Sequence, residues 1–468
     1  MKTVLNYREM LAVNVGPNGI EEERLQTDLA KRFLNVHEMI SKEGNATNMG
    51  FLDLENTWAE VEHIEVLARN YRKRFSAVVV IGIGGSSLGM QALCQALLGE
   101  SWNLLDEVSR NHCPKIYFLD NLDPVSVREL LDRINVEETL FNVVSKSGST
   151  AETLALYAVV EDFVTRAMGS DKACEHFLFT TDPSLGTLRE IAQQRGIESL
   201  EVPPDIGGRF SVLSPASLFL ASLVGLDVRS IIRGAEKSKE HCRTPVLKDN
   251  KAGMISTLFH TADREQGRNV HVVMPYCDRL QNFSLWFQQL WSESLGKAQN
   301  LSGELVNAGP TLLTARGAMD QHSQLQLFTE GPEDKVILFL KLGDHSDDIE
   351  IPVENVNAEA FQSFKGRGLG ELLKLEQQAT VESLRIVGRP TMTLELDSLD
   401  EEVMGELLML FMMATVYAGG LYKVNPWDQP GVELSKRLTF EFLDRGKIKN
   451  LDPQQSNSCW KLRNTSSD

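Results

Sequence analysis

The sequence has little positive charge for its size. It contains 47 lysines and arginines against 65 aspartates and glutamates, which gives a net charge of −18. Binding to nucleic acid or to an anionic membrane requires a basic surface, so neither is expected as a partner. A small anion remains an acceptable ligand, because one pocket can be locally positive on an acidic protein.

Cysteine is scarce, and the thiols are scattered without a C-x-x-C pair or a metal-ligand spacing. This distribution indicates neither a disulfide framework nor a structural zinc site, and it is typical of free thiols in a reducing compartment. The six residues are Cys94, Cys113, Cys174, Cys242, Cys277 and Cys459.

The sequence also predicts neither an export signal nor a membrane span. The first fifteen residues carry Arg8 and Glu9 where a signal peptide needs an apolar centre, so no export is expected. The longest uncharged apolar stretch, residues 407–422, is too short for a membrane span and contains Gly419 and Gly420. It predicts a buried helix, and we expect a cytoplasmic protein.

The composition is that of a soluble globular protein, with 42% hydrophobic and 24% charged residues. A chain of 468 residues is too long for one simple core. Apolar, β-branched runs alternate with helix-like segments from residue 77 onward, which predicts an α/β fold with two doubly wound parallel sheets in α-β-α sandwiches. The predicted strands are 77–81, 115–119, 140–144, 177–180, 270–274, 336–340 and 391–396.

These patterns divide the chain into five segments. Residues 1–70 predict a helical N-terminal extension, and residues 71–233 the first α/β domain. Residues 234–268 are charged and polar and predict a helical connection to a second α/β domain at 269–436. Residues 437–468 predict a C-terminal helix and a polar tail, which is expected to be disordered from residue 453.

Glycine-rich residues 82–89, Gly-Ile-Gly-Gly-Ser-Ser-Leu-Gly, follow the first predicted strand. Such a turn lets backbone N–H groups approach an anion at a helix N-terminus. The segment is not a Walker loop, since no Gly-Lys-Ser/Thr follows, and it fails the dinucleotide fingerprint at Ser87. Taken alone, it is equally consistent with a tight strand–helix connection.

A second strand–helix turn, residues 145–153, is Ser-Lys-Ser-Gly-Ser-Thr-Ala-Glu-Thr. Its hydroxyls and one ammonium suit the three acceptor oxygens of a phosphate monoester. An alternative is an N-terminal capping box that pairs Ser149 with Glu152. The two interpretations are compatible, because a cap needs only one hydroxyl.

Two further segments carry charged candidates. Arg209 follows Gly207 and Gly208, which would let its guanidinium approach an oxyanion closely, although a surface arginine beside a turn is common. Glu293 lies in the last turn of a predicted helix over 283–297. There the negative end of the helix dipole and partial burial disfavour the ionised carboxylate, which would make Glu293 a stronger base. The alternative is a solvated pair of Glu293 with Lys297.

The last two segments lie further along the chain. His322 stands in the polar run Asp-Gln-His-Ser-Gln, whose amides could fix its tautomer. The run Asp-Gln-Pro-Gly-Val-Glu-Leu-Ser-Lys over 428–436 ends a long uncharged helix with a turn and presents Lys436 from the start of a new helix. Each is ordinary in isolation.

Together and in order, the segments from Gly82 to Lys436 resemble the glucose-6-phosphate isomerase family, in a compact bacterial form. The signature at 428–436 and Glu-Ser-Leu-Gly-Lys at 293–297 are the most specific parts. The loop at 147–150 departs from the family's common Thr-Phe-Thr-Thr, which leaves its contacts open. The resemblance implies two sugar-isomerase domains, a hexose 6-phosphate substrate, and no metal or nucleotide cofactor.

The resemblance also implies a role for each candidate residue. Glu293 would move a proton between C2 and C1 through a cis-enediol, Arg209 would stabilise its negative charge, and His322 and Lys436 would open the sugar ring. His322 would come from the partner of a homodimer. The substrate would be bound by Gly85, Ser86, Ser145, Lys146, Ser147, Thr150, Gly208, Gln289 and Gln429.

Three alternatives differ in what they require. A sugar-phosphate isomerase that also accepts mannose 6-phosphate would differ in pocket hydroxyls that the sequence does not place. A sugar-phosphate-binding regulator would lack the base or carry a DNA-binding domain, whereas Glu293, His322 and Lys436 are all present. A nicotinamide dehydrogenase is disfavoured by Ser87.

Overall fold

The computed structural model describes residues 2–42, 48–343, 348–353 and 358–444. Residues 1–427 form one compact unit and residues 428–468 a second one, which is described by itself. The polar tail predicted from residue 453, with Cys459, lies outside the described residues.

The strands and helices alternate as predicted from residue 77 onward. The strands are β1 Thr3–Asn6, β2 Ala77–Ile81, β3 Lys115–Leu119, β4 Thr139–Ser145, β5 Phe177–Thr181, β6 Ser199–Glu201, β7 Val270–Tyr276, β8 Lys297–Gln299, β9 Leu305–Ala308, β10 Thr311–Thr314, β11 Lys335–Leu342 and β12 Thr391–Leu396. The α-helices are α1 Ala12–Val15, α2 Asp28–Lys42, α3 Leu54–Arg72, α4 Leu88–Leu98, α5 Pro124–Leu131, α6 Ala151–Met168, α7 Ser170–Ala173, α8 Thr187–Arg195, α9 Pro215–Leu223, α10 Val228–His241, α11 Lys251–Gln266, α12 Gln281–Leu295, α13 Leu325–Glu330, α14 Leu369–Ile386, α15 Glu401–Tyr422 and α16 Pro430–Asp444.

The first sheet is entirely parallel, in the order β3-β2-β4-β5-β6. Strands β2 and β4 are buried along their whole length, which explains the unbroken apolar character of β2 and the largely apolar character of β4. The chain leaves β2 toward β3 on one side and then crosses to β4 on the other. In open α/β sheets, ligands bind beyond the carboxyl ends of the strands at this point of reversal. The loops after β2 and β4 therefore flank the expected crevice.

The second sheet has the order β1-β12-β11-β7-β10, with four parallel strands and β1 antiparallel at the edge. The segment 1–70 is thus not helical throughout. Residues Thr3–Asn6 pair with β12, and the Lys2 backbone N–H donates to the carboxylate of Glu406. Long-range pairing decides this strand, and the local helical and charged pattern of 1–70 did not reveal it.

The helix over 407–422 is the central core element. Helix α15 is long and apolar enough to cross a membrane by length and composition, but its most apolar window is 94% buried within the protein. Gly405 of α15 and Gly234 of α10 let these helices touch backbone to backbone, because a Cβ on either would overlap a carbonyl of the other helix. The predicted buried helix is confirmed.

The segment 234–268 differs from its description as a charged and polar connection. Helix α11 packs against α15 and is buried along most of its length, from Ala252 to Phe259 and again at Thr261 and Ala262. Two of its buried hydroxyls bond to the helix backbone, from Ser256 to the carbonyl of Gly253 and from Thr261 to the carbonyl of Thr257. Both sheets and this helix belong to the compact unit 1–427, and the domain boundaries drawn from the sequence stay a prediction.

Candidate active site

The hydroxyl-rich loop at 145–150 connects the carboxyl end of β4 to the start of α6. Ser145 is buried, and its Oγ lies 2.9 Å from Oγ1 of Thr150. Oγ of Ser147 lies 3.4 Å from the same Thr150 atom. Three of the predicted hydroxyls thus converge at the N-terminus of an 18-residue helix, where unpaired N–H groups and the helix dipole favour an anion.

The alternative reading of this loop as a capping box is not what the structure shows. Thr150 occupies the N-cap position of α6, with no side-chain hydrogen bond to the helix. Oγ of Ser149 instead accepts from the backbone N–H of Thr187, at 3.4 Å. The first N–H groups of α6 are therefore left for another acceptor.

The loop between β5 and α8 supports the 145–150 loop from behind. The carbonyl of Lys146 accepts from the N–H of Asp182 at 3.0 Å, and that of Gly148 accepts from Leu188 at 2.9 Å. Gly186, at φ 93°, lies so close that a Cβ there would overlap the carbonyl of Ser147. A glycine is needed at 186 both for its φ and for this contact.

The glycine-rich turn after β2 joins the 145–150 loop to the rest of the site. A Cβ on Gly82 would lie 3.0 Å from the carbonyl of Val144, and one on Gly85 would overlap the carbonyl of Gly208. A Cβ on Gly84 would lie 2.9 Å from Nε2 of Gln289. Ser86 is half-buried in the short 3₁₀ turn that follows. The turn thus touches three predicted parts of the site.

Arg209 is buried, with 4% of its surface exposed, and is held by distant residues. Its Nε donates to Oγ of Ser294 at 2.7 Å, and one Nη donates to the carbonyl of Pro426. Its other Nη lies 3.8 Å from Oε2 of Glu293. The backbone of Gly208 and Arg209 is approached closely by Gly85, where a Cβ would overlap the carbonyl of Gly208.

Helix α12 presents Glu293 beside this guanidinium. Trp286, Leu290 and Leu295 form its buried side, as predicted. The side chain of Glu293 is 27% exposed, and its Oε2 accepts from Nε2 of Gln289 at 3.2 Å. Only burial and the helix dipole were considered from the sequence. The structure adds a guanidinium, which places a fixed positive charge 3.8 Å from the carboxylate.

Lys297 caps the carboxyl end of α12, the helix that carries Glu293. Its side chain is almost fully buried, and its ammonium donates to the carbonyls of Glu293 and Ser294 at 2.7 and 3.0 Å. A cation at the carboxyl end of a helix satisfies otherwise unpaired carbonyls and complements the dipole. The sequence interpretation of Lys297 as a solvated partner of Glu293 missed this capping role, as it missed Ser294.

His322 lies at the end of a 3₁₀ turn, Met319–His322, beyond the carboxyl end of β10. The residue before it is anchored: Nε2 of Gln321 donates to the Tyr276 hydroxyl at 2.6 Å and to Oγ1 of Thr380. The imidazole itself is exposed, and within the described residues it makes no hydrogen bond. No hydrogen bond within the described residues therefore links His322 to the cluster around Glu293.

The unit that begins at Asp428 contains the other two predicted residues. Helix α16 starts at Pro430, and Lys436 lies in its second turn, as expected from the sequence. The Lys436 ammonium pairs with Oε1 of Glu433 at 2.9 Å, and its side chain is 57% exposed. Gln429 lies just before the helix and is half-buried.

The cluster can bind a phosphate at one end and move a proton at the other. An anion site lies at the start of α6, and a half-buried carboxylate beside a buried guanidinium lies on α12. The 82–87 turn connects them. Within the described parts of the chain, no three His, Cys, Asp or Glu side chains are grouped so as to hold a metal ion.

Comparison with known proteins gives consistent results. Residues 65–458 match the family model of phosphoglucose isomerase. The chain is 38% identical over 441 residues to the glucose-6-phosphate isomerase of Rubrobacter xylanophilus, covering 94% of this chain and 98% of that one. It is 39% identical over 386 residues to the enzyme of Carboxydothermus hydrogenoformans, covering 82% of each chain.

Two solved structures share the architecture. A hypothetical protein of Thermus thermophilus superposes with a TM-score of 0.82 at 32% identity, covering 94% of this chain and 99% of that one. A glucose-6-phosphate isomerase of Chlamydia trachomatis superposes with a TM-score of 0.79, covering 95% of this chain and 89% of that one. The identity to the latter is 22%, so this likeness shows the fold alone.

Proposed function

The chain belongs to the phosphoglucose isomerase family and interconverts glucose 6-phosphate and fructose 6-phosphate, and we propose that Glu293 is the base of this reaction. The observation that carries the proposal is the cluster of Glu293, Gln289 and Arg209 beside the 82–87 turn. A partly exposed carboxylate there can reach a substrate carbon, while its neighbours hold it in place.

The substrate's phosphate is bound at the start of α6. Hydroxyls of Ser145, Ser147 and Thr150 converge there and donate to the phosphate oxygens, together with backbone N–H groups. Gly85 and Ser86 complete this end from the neighbouring turn. A phosphate held beyond the carboxyl end of β4 leaves the C1–C2 end of the sugar free to extend toward α12.

The isomerisation is a proton transfer between adjacent carbons. Glu293 removes the C2 proton of the open-chain aldose, which gives an enediolate that becomes the cis-enediol when O1 is protonated. Return of the carbon proton to C1, with loss of the proton of the C2 hydroxyl, gives the ketose. Charge that develops on the enediol oxygen is stabilised by the buried guanidinium of Arg209. Gly208, Gln289 and Gln429 line and orient the sugar hydroxyls.

Ring opening precedes this step and needs proton donors and acceptors at the ring oxygen and the anomeric hydroxyl. His322 and Lys436 fill these roles, with His322 supplied by the partner subunit of a homodimer. The exposure of His322 and the anchoring of Gln321 support this arrangement, because an exposed imidazole on a fixed turn is presented to a neighbouring molecule. The enzyme acts in the cytoplasm, in glycolysis and gluconeogenesis.

Solvent exchange tests the proton-transfer chemistry. We expect turnover of glucose 6-phosphate in deuterium oxide to place deuterium at C1 of the fructose 6-phosphate formed, as followed by NMR. A carboxylate that is partly exposed exchanges its proton with water between the two steps. Complete retention of the substrate hydrogen, with no solvent label at any pH, would point to hydride transfer and would contradict the role of Glu293.

Mannose 6-phosphate distinguishes a strict from a broader isomerase. Mannose and glucose 6-phosphates differ only at C2, the carbon that Glu293 deprotonates in this proposal. Initial rates with both sugars, measured on the same preparation, therefore report how the groups around Gln289 and Arg209 hold the C2 hydroxyl. Comparable kcat/KM values would assign the broader specificity.

A further inference from the structure

The Lys146 ammonium makes a hydrogen bond to a residue outside the phosphate loop, which its sequence position did not suggest. Its Nζ donates to the backbone carbonyl of Pro204, at 2.8 Å. The side chain is half-buried, and burial lowers the pKa of its ammonium, an effect that the carboxylates of Asp182 and Asp205 oppose. The ammonium is therefore used, within the protein, to bind the turn at 203–206.

That turn leads directly to the catalytic arginine. Ile206 is buried, and Gly207 and Gly208 continue the backbone to Arg209. The N–H of Ile206 donates to the carbonyl of Pro203, which closes the turn. A displacement of the 203–206 turn would therefore be transmitted within a few residues to the guanidinium beside Glu293.

The N-terminal segment holds the same turn from another side. The Gly50 N–H donates to the carbonyl of Asp205 at 3.2 Å, and Met49 forms an antiparallel bridge with Ile206. A Cβ on Gly50 would overlap the carboxylate of Asp205. The turn is thus bound by Lys146 and by residues 49–50.

We propose that Lys146 is a positioning residue, which ties the phosphate loop to the turn that carries Arg209 and does not bind the phosphate through its ammonium. The inference rests on the proposed function of the 145–150 loop and refines it: Lys146 contributes its backbone to the phosphate site and its side chain to the spacing between the two ends of the substrate.

This link between the phosphate loop and the Arg209 turn affects catalysis because the phosphate is remote from the reacting carbons. Binding energy at a remote group accelerates a reaction only if it fixes the reacting end in a productive geometry. A loop fastened to the Arg209 turn sets the distance between phosphate and guanidinium before substrate arrives. Loss of the hydrogen bond between Lys146 and Pro204 leaves phosphate binding intact and impairs the chemical step.

The test is the Lys146→Met variant, which keeps the apolar stem and removes the ammonium. We measure kcat with fructose 6-phosphate and the inhibition constant of inorganic phosphate as a competitive probe. We expect kcat to fall by about 10-fold or more, since small misplacements at a catalytic group are costly. The phosphate inhibition constant should change by less than about 3-fold, whereas loss of a charge-assisted hydrogen bond raises it about 10-fold or more.

Two further variants separate positioning from a general structural effect. Lys146→Arg keeps a donor for the Pro204 carbonyl and is expected to restore much of kcat. Gly50→Ala displaces Asp205 from the opposite side without touching the phosphate loop, and we expect the same loss in kcat alone. Lys172→Met, at an exposed lysine, is the matched control and should leave both constants unchanged.

The outcomes are distinct. A rise of 10-fold or more in the phosphate inhibition constant of Lys146→Met overturns the proposal, because the ammonium then binds phosphate directly. An unchanged kcat in Lys146→Met overturns it as well, whatever the effect of Gly50→Ala. Thr150→Val examines the underlying assignment: if it too leaves phosphate inhibition unchanged, the phosphate site itself is misplaced and the proposed function fails at that point.

Discussion

One Nη atom of Arg209 lies 3.8 Å from Oε2 of Glu293, and the two side chains differ in exposure, at 3% and 27%. The arginine is fixed in the interior, while the carboxylate is partly exposed. At this distance the guanidinium can interact with the carboxylate, and it is close enough to stabilise negative charge that forms on a substrate oxygen. The pair is therefore suited to remove a proton and to stabilise the resulting enediolate.

Replacing Glu293 with glutamine tests the base directly. The amide keeps the size of the side chain and can still bond to Gln289, but it does not accept a proton. We expect kcat to fall by about 10²-fold or more, the usual scale for a lost general base. The inhibition constant of inorganic phosphate should stay nearly unchanged, because the phosphate loop lies on a different element.

The matched control is Glu240→Gln, at a carboxylate that is 73% exposed and pairs with Arg243. It should leave kcat within experimental error. Retained activity in Glu293→Gln, measured by coupling glucose 6-phosphate formation to its oxidation, would remove Glu293 from the mechanism. A loss of phosphate inhibition in the same variant would indicate that the two ends of the site are not separate.

Removing the Ser294 hydroxyl tests how Arg209 is held. Ser294→Ala leaves the buried Nε of Arg209 without this acceptor. An unsatisfied buried donor costs about 1–3 kcal/mol, so we expect a lower melting temperature together with a reduced kcat. Ser126→Ala, at an exposed serine, should change stability by no more than about 0.5 kcal/mol. Equal melting temperatures for both variants would show that Ser294 does not anchor the guanidinium.

The strands and the loops that carry the site could be predicted because the signals are local. Buried parallel strands are recognised by short apolar runs, as in Ala-Val-Val-Val-Ile of β2, and ligand loops follow the carboxyl ends of β2 and β4. The partners of Arg209 could not be predicted in this way. Ser294 and Pro426 lie 85 and 217 residues away from it along the chain, and only tertiary packing brings them together.

Short elements escaped prediction for a related reason. Strand β1 is four residues long and half exposed, so neither its length nor its pattern distinguishes it from a helix terminus. The charged residues of α11 suggested a surface connection, although most of the helix is buried. In both cases, contacts with residues far along the chain determine the structure: β1 pairs with β12, and α11 packs against α15.

Stability is expected to fall as pH is lowered from neutral, because of histidines buried in the neutral form. Burial lowers the pKa of His271 from 6.5 to about 3 and that of His260 from 6.5 to about 4. The unfolded chain binds protons at these sites below pH 6.5, whereas the folded protein does not until pH nears 3–4. Stability is therefore full above pH 6.5 and declines below it, by up to about 1.4 kcal/mol per pH unit and histidine.

His271→Asn isolates one of these contributions. Its side-chain oxygen takes the place of Nδ1, which accepts from Nε1 of Trp291 at 3.2 Å. Melting temperatures measured from pH 8 to pH 4 should fall less steeply in the variant than in the unmodified protein. His63→Asn, at an exposed histidine, should retain the original slope. Identical slopes for all three proteins would contradict a neutral, buried His271.

Mixing two inactive variants tests whether His322 acts across a dimer interface. Glu293→Gln and His322→Ala each inactivate every site of their own homodimer if both residues are required. In a mixed dimer with His322 contributed by the partner, one site carries both substitutions and the other carries neither. Dissociating and reassociating equal amounts should therefore restore about a quarter of the original activity, since half of the dimers are mixed and each has one intact site.

If His322 instead serves the active site of its own subunit, the result is different. Each site of a mixed dimer then carries one substitution, and the mixture stays as inactive as its components. Reassociation is followed by native mass spectrometry, so that a lack of mixed dimers is not mistaken for a lack of complementation. The exposed position of His322, on a turn that Gln321 fixes to Tyr276 and Thr380, favours the first outcome.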